Sequence, residues 1–249
     1  MKLFEKLLPR KIEFYPFDEF AKLYPPKPAK NSLPDWYKNL DNYIPNSEYT
    51  ARCLIEKDSP NSLFTMKRCI PVQDYITSGY TFFFNTEILI SEVSFADTKD
   101  FLWYAPRETN TVVGSHPFNQ CPVHFKDKKR NYIKFFANWG IRTPPGYSCL
   151  IEQPFYFRED RFTLFPAIVD TDTYVDPIGF VGYMNDGFNE TKIDPGTPIV
   201  NIYPFKREEW KMDIKDGISH EFMNKFTTLR GQFFTNVYRK FYHSKKKYN

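Results

Sequence analysis

Glycine and cysteine are scarce in this chain, and several kinds of motif are missing altogether. Ten glycines stand against twenty prolines in 249 residues, so the connections are rigid and none is a glycine-rich phosphate loop. The four cysteines, Cys53, Cys69, Cys121 and Cys149, form no C-x-x-C pair, which argues against a zinc ribbon or a thioredoxin-type redox site. No serine sits in a G-x-S-x-G setting, so the strand-turn-helix elbow of the α/β-hydrolases is absent. No His-x-Asp or His-x-Glu occurs, the pairing that β-barrel iron oxygenases use. No apolar run approaches the ~20 residues of a membrane span, and Met1–Arg10 lacks the apolar stretch of a secretory leader. Free thiols in a reducing cytoplasm, a host cell's if the chain is phage-encoded, are the expectation that follows.

Charge of one sign is missing from most of the chain as well. The net charge is +4, yet residues 239–249 hold five Lys or Arg and no acid, which leaves the rest close to neutral. A nucleic-acid-binding domain carries its positive charge on a face or a stripe. Here only the tail, ending Lys245-Lys-Lys-Tyr-Asn249, offers contact with nucleic acid or an acidic partner.

Aromatic residues are plentiful, at 19% with 26 Phe and 17 Tyr, and they favour pleated, half-buried surfaces. Residues 1–46 read as an extended arm: Pro9, Pro16, Pro25, Pro26, Pro28, Pro34 and Pro45 interrupt any long element, and aromatics sit among them. Short helices are expected at Asp18–Tyr24 and after Pro34. Residues 47–212 read as a β domain. Strand-like runs are Arg52–Glu56, Phe64–Cys69, Tyr80–Ile90, Val112–Gly114, Tyr132–Phe136, Tyr147–Glu152, Phe162–Val169, Ile178–Met184 and Ile199–Tyr203, with a helical turn at Pro71–Ile76. No βαβ rhythm is present, so a doubly wound sheet is disfavoured. Residues 213–249 read as a C-terminal helix and basic tail, because Phe222, Phe226, Leu229, Phe233, Val237 and Phe241 recur at helical spacing. The fold class is therefore mainly β, a distorted barrel or jelly roll, with a Pro/aromatic arm before it and an amphipathic helix after it. Both appendages suit a protein partner or self-association into an oligomer.

Asp170 and Asp172 are the candidate acids, since alternate strand positions share a face and two close carboxylates suit Mg²⁺ or general-base work. Against this stands a strand end whose Asp side chains bond loop amides. His116, Cys121 and His124 form the one His/Cys cluster and read as structural residues of a Pro-rich loop. Cys149, on an apolar run, reads as a buried thiol. Lys126-Asp-Lys-Lys-Arg130 reads as a solvated turn.

Three segments carry a resemblance: Arg142-Thr-Pro-Pro-Gly-Tyr147, Ala167-Ile-Val-Asp-Thr-Asp172, and Gly196-Thr-Pro198 with Pro204-Phe-Lys-Arg-Glu208. They resemble the R-T-P-P-G-[YW], [GA]-I-V-[DE]-T-D and G-x-P…K/R-R-E pattern of a family of uncharacterised tailed-phage and bacterial proteins. More distantly, Pro145-Gly-Tyr147, Ala167–Tyr174 and Gly196–Asn201 are similar to motifs of the dUTPase and dCTP deaminase β fold. That likeness implies a dUTPase-like β-clip, with Asp170 orienting an attacking water and Tyr174 stacking on a base. Tyr147 and Asn201 lie in the matching segments and would join the ligand site, and a hydrolase would need a cation for phosphate, Arg142 or Arg158. Glu152-Gln-Pro-Phe155 stands where that fold has its P-R-S-G phosphate motif, and Pro198 replaces the arginine of its last motif. The expected function is a phage-type, non-catalytic β module for binding or assembly, with no cofactor. The alternative is a divergent hydrolase of nucleotides using Asp170, Asp172 and Mg²⁺.

Overall fold

The computed structural model describes residues 10–45, 62–106, 112–120, 129–174, 176–186, 190–231 and 238–249. They are mainly β, and every pair of strands is antiparallel. The expected strand at Arg52–Glu56 lies outside the described residues.

By contacts the chain divides into two units. The first comprises residues 1–34 and 77–207, and it holds the candidate site. Its largest sheet orders the strands Ala167–Val169, Tyr147–Glu152, Pro198–Lys206, Tyr80–Phe83 and Lys27–Pro28 side by side. A four-stranded sheet runs Phe162–Leu164, Gly179–Met184, Tyr132–Phe136 and Val113–His116, and a three-stranded one Glu190–Ile193, Ile88–Phe95 and Thr98–Tyr104. None of the sheets closes on itself among the described residues.

The core of this unit accounts for much of the phenylalanine. Phe135 is fully buried, with the rings of Phe84 and Phe162 each 5.0 Å away in edge-to-face contact. Such pairs add about 0.5–1.5 kcal/mol to the burial of the rings themselves. The N-terminal arm joins the same core. Glu13–Pro16 pairs with Trp139–Arg142, and Phe14 packs edge-on against Tyr80 and Phe82 at 5.3 and 5.5 Å. Asp18 then accepts from the Ala21 amide at 2.6 Å and from Asn138 Nδ2 at 3.1 Å, which closes the arm's short 3₁₀ turn, Ala21–Leu23.

The run Tyr80–Ile90 is not one strand. It breaks between Phe83 and Ile88, where the Phe84 amide donates to the Thr197 carbonyl at 3.0 Å and the Gly196 amide donates to the Phe84 carbonyl at 2.8 Å. The strands Thr98–Tyr104 and Glu190–Ile193 carry weak alternation and were not legible in the sequence. Arg130 departs from the solvated turn expected of Lys126–Arg130. It is buried and paired with Glu92 at 2.8 Å and Asp186 at 3.1 Å, and an opposite charge is what lets a guanidinium leave water.

The second unit comprises residues 35–76 and 208–247. It has short helices at Asp35–Asn39 and Ile70–Thr77, as expected after Pro34 and at Pro71, and a strand pair Tyr43–Pro45 with Ser62–Phe64. The expected strand Phe64–Cys69 turns into a 3₁₀ helix at Met66–Arg68, which the Thr65 hydroxyl caps. The C-terminal helix runs His220–Gly231, with Ser219 Oγ accepting from the Phe222 amide at 3.2 Å. A π-helical turn follows at Tyr238–Tyr242, and Phe233 and Val237 lie outside the described residues. No described helix is long and apolar enough to cross a membrane.

Candidate functional site

The site is built around one turn and one arginine. In Pro144-Pro-Gly-Tyr147 the Tyr147 amide donates to the Pro144 carbonyl at 3.2 Å, with Pro145 second and Gly146 third in the turn. Gly146 has φ +82°, so the third position needs the residue that tolerates a left-handed backbone. This leaves the Gly146 amide free to donate to Asp172 Oδ2 at 2.8 Å.

The strand Ala167–Val169 ends just before Asp170. Residues 170–174 form a turn in which the amides of Thr173 and Tyr174 donate to the Asp170 carbonyl at 3.1 and 2.9 Å. The two carboxylates are therefore not alternate residues of a strand, yet they converge. Arg207, just beyond the strand Pro198–Lys206, places Nη1 3.0 Å from Asp172 Oδ1 and 3.1 Å from Asp170 Oδ1, and Nη2 bonds Asp172 Oδ2. Its Nη1 also donates to Ser148 Oγ at 3.1 Å, and Ser148 Oγ donates to Asp170 Oδ1 at 2.6 Å. A planar guanidinium meeting a carboxylate with two nitrogens is the strong, oriented form of this bond. The side chain of Asp172 is 6% exposed beneath the arginine, and that of Asp170 is 61% exposed at the rim.

These bonds set the charges. The Ser148 hydroxyl, then Arg207, holds Asp170 below the usual carboxylate range. Arg207, then the Gly146 amide, does the same for Asp172, and Asp172 raises Arg207 in return. Both acids stay ionised and are weak bases. Beneath them Thr143 and Thr171 share a hydroxyl bond at 2.8 Å, and Cys149 Sγ lies 3.3 Å from Thr171 Oγ1. Burial pushes the Cys149 thiol up to about 11.

A cleft of ≈ 410 Å³ opens beside this cluster, lined by Tyr15, Gly140, Ile141, Arg142, Thr171, Asp172 and Tyr174. Tyr15 and Tyr174 are 46% and 44% exposed, and the exposed Arg142 ends the strand that pairs with the arm. Two aromatic rings with one cation suit a planar, anionic ligand. Three residues singled out in the sequence, Arg142, Asp172 and Tyr174, thus share a cleft, and Asp170 lies next to it through Arg207. Tyr147 contributes its backbone to the turn. Arg158 is exposed in a left-handed position after the 3₁₀ helix Phe155–Phe157, among residues that do not line the cleft. Asn201 is buried in the large sheet, where Thr81 Oγ1 donates to its Oδ1 at 2.8 Å and it donates to the Tyr203 hydroxyl at 3.1 Å. His116 bonds Gln120 at 2.7 Å, while Cys121 and His124 lie outside the described residues. Tyr15 and Arg207 escaped the sequence reading. The Lys206-Arg-Glu208 end of the shared pattern was the signal for the second of them.

Mg²⁺ is the ion that the hydrolase alternative would need. Asp170 and Asp172 are the carboxylates for it, but a guanidinium occupies them, and no group of three or more possible ligands gathers among the described residues. This donor set does not fit the ion.

No family model matches the chain, and no curated protein matches it. Among solved structures, the dUTPase from phage phi11 of S. aureus is 7% identical with a TM-score of 0.35, over 84% of this chain and 99% of that one. The Staphylococcus bacteriophage 80alpha dUTPase is 8% identical with a TM-score of 0.35, over 84% and 98%. The EIAV dUTPase is 12% identical with a TM-score of 0.31, over 57% and 87%.

Proposed function

We propose that this protein is a non-catalytic β module that binds a planar anionic ligand, of the nucleotide class, in the cleft between Tyr15 and Tyr174. The observation that carries this reading is the pairing of both candidate acids with Arg207. A general base works best with a pKa near the operating pH, and these two are displaced the other way. A metal would have to displace a guanidinium that already satisfies both carboxylates. The same pairing supports binding: it fixes the turn that carries Tyr174, and Arg142 supplies a cation for the ligand's negative end.

Thermal shift with a panel of deoxynucleotides, with and without Mg²⁺, tests the reading. A ligand that binds only the native state raises the melting temperature. The expected shift is independent of Mg²⁺, is retained in Asp170→Asn and is lost in Tyr174→Ala. A Mg²⁺-dependent shift abolished by Asp170→Asn would instead support the hydrolase.

A further inference from the structure

Residues 208–216 read Glu-Glu-Trp-Lys-Met-Asp-Ile-Lys-Asp. Apolar side chains fall at every second position: Trp210, Met212 and Ile214 are 86%, 83% and 79% exposed. Between them stand Glu209, Lys211, Asp213 and Lys215, alternating in sign. A period of two belongs to a strand, with one apolar and one charged face. Yet the segment is in no helix or strand, and the backbone of residues 209–218 has no hydrogen-bond partner among the described residues. A strand's worth of amides, carbonyls and apolar surface is open.

The charges choose what pairs with it. We propose that this segment is a self-complementary dimerisation strand, pairing antiparallel with the same segment of a second copy about a two-fold axis at Met212. In that register, over residues 209–215, Glu209 faces the partner's Lys215, Lys211 faces the partner's Asp213 and Trp210 faces the partner's Ile214, each pair occurring twice by symmetry; pairing stops there, because the next pair outward would set Glu208 against the partner's Asp216. Slipping the register by one residue sets apolar side chains against charges. Slipping it by two, in either direction, sets like charges against each other. A parallel pairing in step opposes like charges along its length, and a parallel pairing shifted by two does not close into a dimer. In the single chain Lys215 bonds Asp213 on the same face, an exposed contact that exchange for the partner costs little. Exposed ion pairs add little attraction, so they set the register while the apolar face supplies the affinity. A two-stranded ribbon is marginal on its own, so the dimer is weak and depends on concentration. The segment lies outside both the N-terminal arm and the C-terminal helix, and the inference stands apart from ligand binding in the cleft.

Sedimentation of the full-length protein over a wide concentration range, without nucleotide, tests this. The wild-type chain forms a reversible dimer. Lys211→Asp and Asp213→Lys each oppose like charges and each weaken the dimer by about tenfold or more. An equal mixture of the two variants opposes unlike charges at both sites and recovers wild-type association, as does the double variant K211D/D213K. These positions are exposed, so melting temperatures stay close to wild type. A wild-type monomer at every concentration, single variants that associate like wild type, or a mixture that associates no better than its components would each overturn the proposal.

Discussion

Arg207 occupies the position on which the chemistry of the cleft depends. Its two terminal nitrogens reach Asp172, Asp170 and Ser148, and its amide donates to the Gly146 carbonyl at 2.9 Å, so one residue ties the turn at 144–147 to the turn at 170–174. The pH dependence follows with a definite sign. Both acids are held below the ordinary aspartate value of 3.8 in the folded state, so their contribution is complete above that pH and is lost as the pH falls through the lower, folded values. Replacing Arg207 with Gln should lower the melting temperature at neutral pH, and the gap to wild type should narrow below about pH 4. Thermal melts of both proteins from pH 3 to 7 check this; a gap that stays constant across the range would contradict it. Cys149 gives a second expectation at this scale. A buried thiol raised to about 11 carries almost no thiolate at pH 8, so mass-spectrometric mapping after alkylation of the native protein should find Cys69, which is exposed, modified and Cys149 untouched.

Among the elements, the strand Tyr80–Phe83 is placed by the glycine before it. Gly79 has φ +74°, and a Cβ there would lie 2.4 Å from the Ile202 carbonyl oxygen of the adjacent strand. Gly79→Ala should therefore cost about 2–3 kcal/mol through backbone strain and the clash together, a drop of roughly 4–12 °C in melting temperature. A drop of under a degree would contradict the assignment. Ser78-Gly79, Pro145-Gly146 and Asp194-Pro-Gly196 are turn signals in the sequence, and all three glycines have positive φ, the left-handed backbone that selects glycine. The strands that went unread, Thr98–Tyr104 and Glu190–Ile193, lie in the three-stranded sheet, where side chains on both faces are partly exposed and the alternation fades. The break inside Tyr80–Ile90 was hidden for the opposite reason. Phe82, Phe83, Phe84, Asn85 and Thr86 are all buried, so nothing polar and exposed marks where one strand stops.

For the whole molecule, composition was the reliable guide to the class of fold. An aromatic share of 19% matches a core in which Phe82, Phe84, Phe135 and Phe162 are almost entirely enclosed. Phe135→Ala, which empties the centre of that cluster, should destabilise by about 3–5 kcal/mol, readable by chemical denaturation. The candidate site was only half legible. Asp170, Asp172, Arg142 and Tyr174 carried recognisable chemistry, but the partner that decides their role comes from just beyond the central strand of the five-stranded sheet, and no spacing in the sequence brings residue 207 to residue 172. The central claim, a cleft that binds without turning over, is tested most directly by ³¹P NMR of a deoxynucleoside triphosphate held with the protein and Mg²⁺. The resonances should shift with binding, and the ligand should stay intact through prolonged incubation. Release of pyrophosphate at a rate that falls in Asp170→Asn would contradict it.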